Sequence, residues 1–292
     1  MGTEQTNPLL RVENLSIGFS QYVKGTKKRL IHPISDLNVD ICEGEIVAVV
    51  GASGSGKSLL AHAVLGILPG NAICGGRIVY RGEPLTEERK ARLRGREISF
   101  IPQSVNFLDP LMRVGKQVQI GLEKSSAKQA QQALFEQYGL KVSDGKLFPH
   151  ELSGGMLRRV LFATSVRDGV RLVIADEPTP GIHPEALAEI LKQLKQFAKD
   201  GAGVMLITHD LISALEIANR VAVIEDGRTV EISEAADFEG RGERLKTEYT
   251  QRLWRALPQN DFDLEFQEKE VVHIAADRRE SGVLLSKGSL DF

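Results

Sequence analysis

From Glu45 to Leu68 the chain reads EIVAVVGASGSGKSLLAHAVLGIL, an apolar run, a glycine- and serine-rich bend, then a second apolar run. The first run has no polar face, which suits a strand buried on both sides in a parallel sheet. The second is long enough for a helix, which Pro69 and Gly70 are expected to end. A bend bracketed by two core elements is not a linker. Gly51-Ala52-Ser53-Gly54-Ser55-Gly56-Lys57-Ser58 fits the phosphate-binding pattern, glycine, four residues, then Gly-Lys-Ser. Its glycines let consecutive N–H groups face inward, and the following helix adds the positive end of its dipole. Lys57 is expected to reach the terminal phosphates of a nucleotide, and the Ser58 hydroxyl to ligate Mg2+.

The rest of the chain supplies a frame for this site. LLRVENLSIGF and LNVDI alternate apolar and polar residues, and read as antiparallel strands joined across Gly25. The basic run Lys24 to Arg29 between them reads as a solvated loop tip. GRIVYRGEPL, REISFIPQ, VRLVIADEP and GVMLITHD read as strands, and VAVIEDGRTVEI as a hairpin turning at Asp226-Gly227. PEALAEILKQLKQFAKDG places Leu187, Ile190, Leu191, Leu194 and Phe197 on one helical face and stops at Gly201. LISALEIANR reads as another helix. From about residue 106 to 164 the pattern is helical, with AKQAQQALFEQYGL closing on Gly139. The expected class is α/β: a mainly parallel sheet with an N-terminal antiparallel β subdomain and an inserted α-helical subdomain. Residues 1–8 read as a tail, 9–258 as the main domain, and 259–292 as an extension with weak strand-like pieces and no usable motif.

Open α/β sheets bind ligands at the carboxyl ends of their strands, so polar residues there belong to one constellation. LVIADE ends a strand on Asp176, placed to deliver a carboxylate to the metal. Glu177 beside it is placed to polarise an attacking water. Gln103 follows ISFIP and His209 follows VMLIT; the first can face Mg2+ and the water, the second the γ-phosphate. Upstream, ELSGGMLRRV opens a helix on Ser153 as N-cap, and Gly154 and Gly155 leave its N–H groups bare. Such a start is suited to an anion. His32, His62, His150 and His273 form no ligand spacing and read as packed or surface residues.

With these motifs in chain order, residues 9–258 resemble the nucleotide-binding subunits of ATP-binding-cassette (ABC) transporters. The resemblance implies a P-loop ABC ATPase core that binds ATP and Mg2+. Gly51, Ser53, Gly54, Ser55, Gly56, Lys57 and Ser58 would form the phosphate loop. Ser58, Gln103 and Asp176 would hold Mg2+, with Glu177, His209 and Gln103 as catalytic residues. Ser153, Gly154 and Gly155 match the signature motif, which in that family closes on the ATP held by a second subunit. Phe19 would stack on adenine, with Tyr22 as fallback. The family also implies two cassettes sandwiching two ATP molecules, as a homo- or heterodimer. Two transmembrane permease subunits would be driven through the helical subdomain and the loop at Gln103.

PQSVNFLDPLMRVGKQV and TEYTQRLWRALP are similar to stretches in ATPases of oligopeptide, dipeptide and nickel importers. Those are fed by an extracytoplasmic substrate-binding protein, and their cargo is peptide, nickel or a metal-chelate. The absence of cysteine after Cys74 argues against the iron–sulfur centre that some members carry. Two departures stand out: His183 occupies the place of the usual D-loop aspartate, and Met156 that of a commoner glutamine. The first suggests an asymmetric dimer.

The alternative is a soluble ABC machine acting on nucleic acid or ribosomes. A formal charge of −2 over 292 residues argues against a broad nucleic-acid-binding face, and the cassette is unbroken. A kinase or GTPase would lack LSGG. With two cysteines and no metal-type spacing, a reducing compartment is expected. No run of about 18 apolar residues occurs, and the N-terminus lacks the charge pattern of a signal peptide. The expected place is the cytoplasmic face of the membrane, held there by partners.

Overall fold

The computed structural model describes residues 7–24, 27–165, 167, 169–178, 184–257 and 260. The chain falls into two compact units, Met1–Ala235 and Ala236–Phe292. The first opens with β1 (Leu10–Lys24), β2 (Lys27–Ile41), β3 (Ile46–Gly51) and α1 (Lys57–Leu65). Next come β4 (Ala72–Tyr80), β5 (Glu83–Pro84), α2 (Glu87–Leu93) and β6 (Ile98–Ile101). Three helices follow, α3 (Val114–Gln119), α4 (Ala127–Gln137) and α5 (Gly154–Ser165). The unit closes with β7 (Leu172–Asp176), α6 (Pro184–Lys199), β8 (Gly203–Ile207), α7 (Leu211–Leu215), β9 (Arg220–Glu225) and β10 (Arg228–Glu234).

All ten strands join one sheet in the order β5-β4-β1-β2-β10-β9-β3-β8-β7-β6. From β9 to β6 every neighbour is parallel, whereas β5, β4, β1 and β2 pair antiparallel. The two halves meet where β2 and β10 pair through Arg228 and Asp36. The expected class therefore holds. Strands β3, β7 and β8 are buried at every position, as their continuous apolar runs require of a sheet covered on both faces. Val47, Val49, Ile174, Met205 and Ile207 share a core cluster with Leu60, Ala61 and Val64 of α1. Helix α6 packs on β8, and its Ile190, Leu191 and Leu194 are buried.

Four expectations need correction. Helix α1 ends at Leu65, ahead of Pro69, because Gly66 turns left-handed at φ 66° and its N–H bonds back to Ala63. Ile67 and Leu68 prolong the apolar pattern but not the helix. The basic run is not all loop: Lys27 to Arg29 belong to β2, and the ladder runs out to Lys24 opposite Lys27. Backbone bonds hold that ribbon whatever its side chains carry. Gly25, the expected turn, lies outside the described residues. The helical pattern of 106–164 is broken into α3, α4 and α5 with short 3-10 turns at 105–107, 142–146 and 149–151. Helix α7 is one short segment, ending before Glu216.

Two turn readings match. Asp226 and Gly227 both take positive φ, 46° and 73°, the type I′ geometry a tight hairpin prefers. Gly139, at φ 64°, donates to Glu136 O at 3.1 Å while Leu140 N bonds Phe135 O at 2.7 Å. That pair of bonds is the Schellman end of α4.

In the second unit, α8 (Glu248–Arg255) is capped by Thr247, whose side chain accepts from Thr250 N. Trp254 packs edge-on to Phe238 and donates from Nε1 to Gly240 O at 3.1 Å. Helix α8 thus contributes Trp254 to a small aromatic cluster. Residues 261–292 lie outside the described residues. Among the described residues no helix is long and apolar enough to cross a membrane.

Candidate nucleotide site

The loop 51–58 links the end of β3 to the start of α1. Gly51 stands beside Ile224 of β9, and a Cβ there would lie 2.1 Å from the Ile224 carbonyl oxygen. Only glycine passes that neighbour. At Gly56, φ is 96° and a Cβ would meet Ile34 Cγ1 at 2.8 Å, so conformation and space both demand glycine. Gly54 is exposed and left-handed, Ser53 is exposed, and Ser58 stands exposed in the first turn of α1.

Lys57 is buried beneath this loop, its Nζ donating to Gly51 O and Ala52 O, each at 2.8 Å. Burial pulls the ammonium below its ordinary pKa, opposed by Glu177 and Asp176. The two carboxylates are thus close enough to act on the amine. Ser55 Oγ is buried with no hydrogen-bond partner among the described residues. A buried hydroxyl left unpaired asks for an acceptor or donor from outside the chain; a phosphate oxygen answers that need.

Asp176, at the tip of β7, is buried and accepts a hydrogen bond from Ser58 Oγ at 3.1 Å. Burial pushes its carboxyl above the usual range, and the Ser58 bond works the other way. Among the described residues no three His, Cys, Asp or Glu side chains form a metal cage. A hydroxyl and one carboxylate, both hard oxygens, suit Mg2+, which takes few protein ligands and completes its shell with water and substrate phosphates.

Because β7 and β8 are neighbours with Asp176 opposite Ile207, the residues after them come together. Glu177 N donates to Ile207 O at 2.8 Å. Its side-chain Oε2 lies 2.8 Å from His209 Nδ1 and 3.5 Å from Thr208 Oγ1. Glu177 adopts φ 44°, a left-handed conformation costing about 1–3 kcal/mol in a residue with a side chain. Strain of that kind gathers where a side chain must be aimed. His209 is 66% exposed, with Nε2 free of any described hydrogen bond.

The remaining site residues lie further out. Gln103 is exposed two positions past β6, at the edge of the sheet beyond β7, and its carbonyl accepts from Arg158 Nη1 at 3.2 Å. Ser153 caps α5, accepting from Met156 N at 3.3 Å. Gly154 and Gly155 are exposed, with no atom within 4 Å of where a Cβ would stand. Helix α5 packs on β6, α3, α4 and the 105–107 turn, none of which carries loop 51–58. The structure therefore joins Lys57, Ser58, Asp176, Glu177 and His209, while Ser153–Gly155 stand exposed at the start of α5, outside that group. Phe19 sits in β1 opposite Ile31 and Ala72, half-buried against the main core. The side chain of Tyr22 and all of His183 lie outside the described residues. His62 is half-buried, edge-on to Phe100. Sequence reasoning missed the Arg158–Gln103 contact; two successive arginines give no sign of which one turns inward.

A family model described as ABC transporter matches residues 34–180. The oligopeptide transport ATP-binding protein OppD of Escherichia coli (strain K12) is 34% identical over 250 residues, covering 81% of this chain and 73% of that protein. The dipeptide transport ATP-binding protein DppD of the same organism is 32% identical over 267 residues, 86% of this chain and 79% of that one. Among solved structures, a dimeric ATP-binding cassette in a post-hydrolysis state, bound to ADP and phosphate, superposes with a TM-score of 0.65. It is 23% identical, covering 77% of this chain and 98% of its own.

Proposed function

The chain belongs to the ABC transporter family, and we propose that it is the ATP-hydrolysing cassette of an importer for oligopeptides or dipeptides. The observation that carries the cargo class is the match to OppD and DppD, each over more than four-fifths of this chain. The site supports the chemistry. Loop 51–58 binds the phosphates through its N–H groups, and Lys57 leaves its two loop carbonyls to meet the terminal ones. Ser58, Asp176 and Gln103 hold Mg2+, which when bound offsets the charge gathering on the phosphate oxygens. Glu177 takes up a proton from the attacking water. With Nδ1 facing Glu177, His209 leaves Nε2 to meet the γ-phosphate. Phe19 is the stacking surface for adenine.

Ser153, Gly154 and Gly155, open to their surroundings, serve the nucleotide of a second cassette. Phe107 and Leu111, exposed at 67% and 87%, lie in the loop and turn that follow Gln103. Large apolar side chains so placed offer a contact to one of two permease subunits, which hold the chain at the cytoplasmic face of the membrane. An extracytoplasmic binding protein and the permeases select the cargo. No observation favours the nucleic-acid alternative.

Glu177→Gln should lower the ATPase rate at least about a hundredfold and trap an ATP-bound dimer on gel filtration. A rate equal to wild type would remove Glu177 as the base. Uptake of labelled dipeptides and oligopeptides should fail in cells lacking the gene. Loss of Ni2+ uptake alone would reassign the cargo.

A further inference from the structure

Several arginines of this chain donate to backbone carbonyls far away in sequence, and most do so for an evident structural reason. Arg94 reaches Leu65 O and Gly66 O at the end of α1. Arg159 reaches Gly139 O, just past α4. Arg167 reaches Val118 O and Ile120 O at the end of α3. Each places a cation where helix carbonyls lack partners and the dipole is negative.

Arg158 differs from these three. Its acceptor, Gln103 O, belongs to a loop two residues beyond a strand, where no helix ends. Among the described residues no carboxylate forms an ion pair with it. The Arg158 side chain is half-buried. Withdrawing a cation from water for one loop carbonyl is costly, with no helix end satisfied in return.

The loop it grips is tied at the other end as well. The side-chain amide of Gln117 in α3 donates to Asp109 O and Met112 O and accepts from Asp109 N, at 2.8 to 2.9 Å. Residues 103–112 are therefore fastened to α5 and α3 of the insertion, while their N-terminal end continues from β6 of the sheet. We propose that Arg158 is a positioning residue for ATP hydrolysis: it fixes the backbone at Gln103 to α5, so that the Gln103 side chain and the Ser153–Gly155 helix start move as one piece. The proposal rests on the ATPase reading above.

The test is a double-mutant cycle in the full chain, assembled with its permeases, using Arg158→Ala, Gln103→Ala and the pair. Arg158→Ala should lower kcat about tenfold while KM for ATP stays within about twofold, since the phosphate loop is untouched. Its melting temperature should match wild type. Arg158→Lys, which keeps a charged donor, should recover most of the rate. The double variant should be no slower than Gln103→Ala alone. Multiplied losses in the double variant would overturn the proposal, as would an unchanged kcat in Arg158→Ala. So would a rate loss that follows melting temperature and ignores lysine. Where Arg158→Ala does not fold, Arg158→Gln enters the same cycle. A wild-type chain showing no Lys57-dependent hydrolysis would instead defeat the ATPase reading; normal hydrolysis indifferent to Arg158 defeats only this proposal.

Discussion

Strands β3, β7 and β8 are closed to solvent at every position, whereas the insertion from residue 103 to 165 leaves Phe107, Leu111, Ile120 and Val142 more than half exposed. The sheet is held by continuous ladders and by apolar surface with no direction to it. The insertion depends more on single directed bonds: Arg158 to Gln103, Arg159 to Gly139, Arg167 to Val118, Gln117 to Asp109. It also carries a buried amide nitrogen, Gln131 Nε2, that finds no partner among the described residues. Ladders and close packing resist small displacements. A few hydrogen bonds, each worth about 1 kcal/mol net, can be exchanged at small cost. Loop 51–58, Asp176 and Glu177 sit on the part that holds still, and the exposed apolar side chains sit on the part that can shift.

Gly51→Ala should break the first half of that contrast with the largest effect. The new methyl would lie 2.1 Å from a carbonyl of the adjoining strand β9, and neither backbone can retreat without opening the ladder. A loss of about 3 kcal/mol is expected in urea unfolding, together with loss of nucleotide binding. A change below about 1 kcal/mol would mean the sheet yields as readily as the insertion, and the contrast would fall.

Arg220→Ala probes the opposite end of the same strands. Arg220 joins Glu45 at 2.5 Å and Asp40 at 3.1 Å, with the Arg220 side chain 19% exposed. Removing it leaves two partly buried carboxylates without their cation, at a cost of about 2 kcal/mol once solvent screening is allowed for. Because the pair lies at the N-terminal ends of β3 and β9, far along the strands from Gly51, ATP affinity should stay within about twofold of wild type. A tenfold weaker Kd would show that strain travels the length of the sheet.

How much of this the sequence disclosed follows the same division. The buried strands, the loop 51–58 and the carboxylates at the tip of β7 were readable because each rests on a local pattern: an apolar run, a glycine spacing, a polar strand tip. Asp226-Gly227 and Gly139 were readable because positive φ restricts residue choice. Where side-chain pattern and backbone part company, reading failed. Leu68 still packs on the core after Gly66 has ended α1, so the apolar run outlasts the helix. Charge marked Lys27 to Arg29 as loop although their backbones remain in the ladder. The bond from Arg158 depends on how α5 lies against the end of β6, which no local pattern encodes.

Gln117→Ala sharpens the second half of the contrast. It removes three hydrogen bonds from the loop carrying Leu111, yet the loop already lies at the surface. The global unfolding free energy should fall by about 1.5 kcal/mol. Amide exchange at residues 109–112 should quicken about tenfold, with β3 and β8 unchanged. Equal quickening in those strands would merge the two regions into one cooperative unit.

Gly139→Ala carries the smallest expected effect, and it makes the same chemical change as Gly51→Ala in the other region. Here the backbone is left-handed at φ 64°, and a Cβ would meet nothing closer than Arg159 Nη1 at 3.6 Å, an ordinary contact. Crowding contributes nothing, so only the conformational term remains, about 1 kcal/mol for an alanine held in that region. Helix α4 can lessen even that by fraying its last turn, since Gly139 and Leu140 bond to carbonyls of the helix end itself. Circular dichroism should show at most one turn lost, and kcat should remain near wild type because Gln103 is held through Arg158, not Arg159. A loss approaching that of Gly51→Ala would mean the insertion is as tightly determined as the sheet, and the permease contact proposed for Phe107 and Leu111 would then need another source of movement.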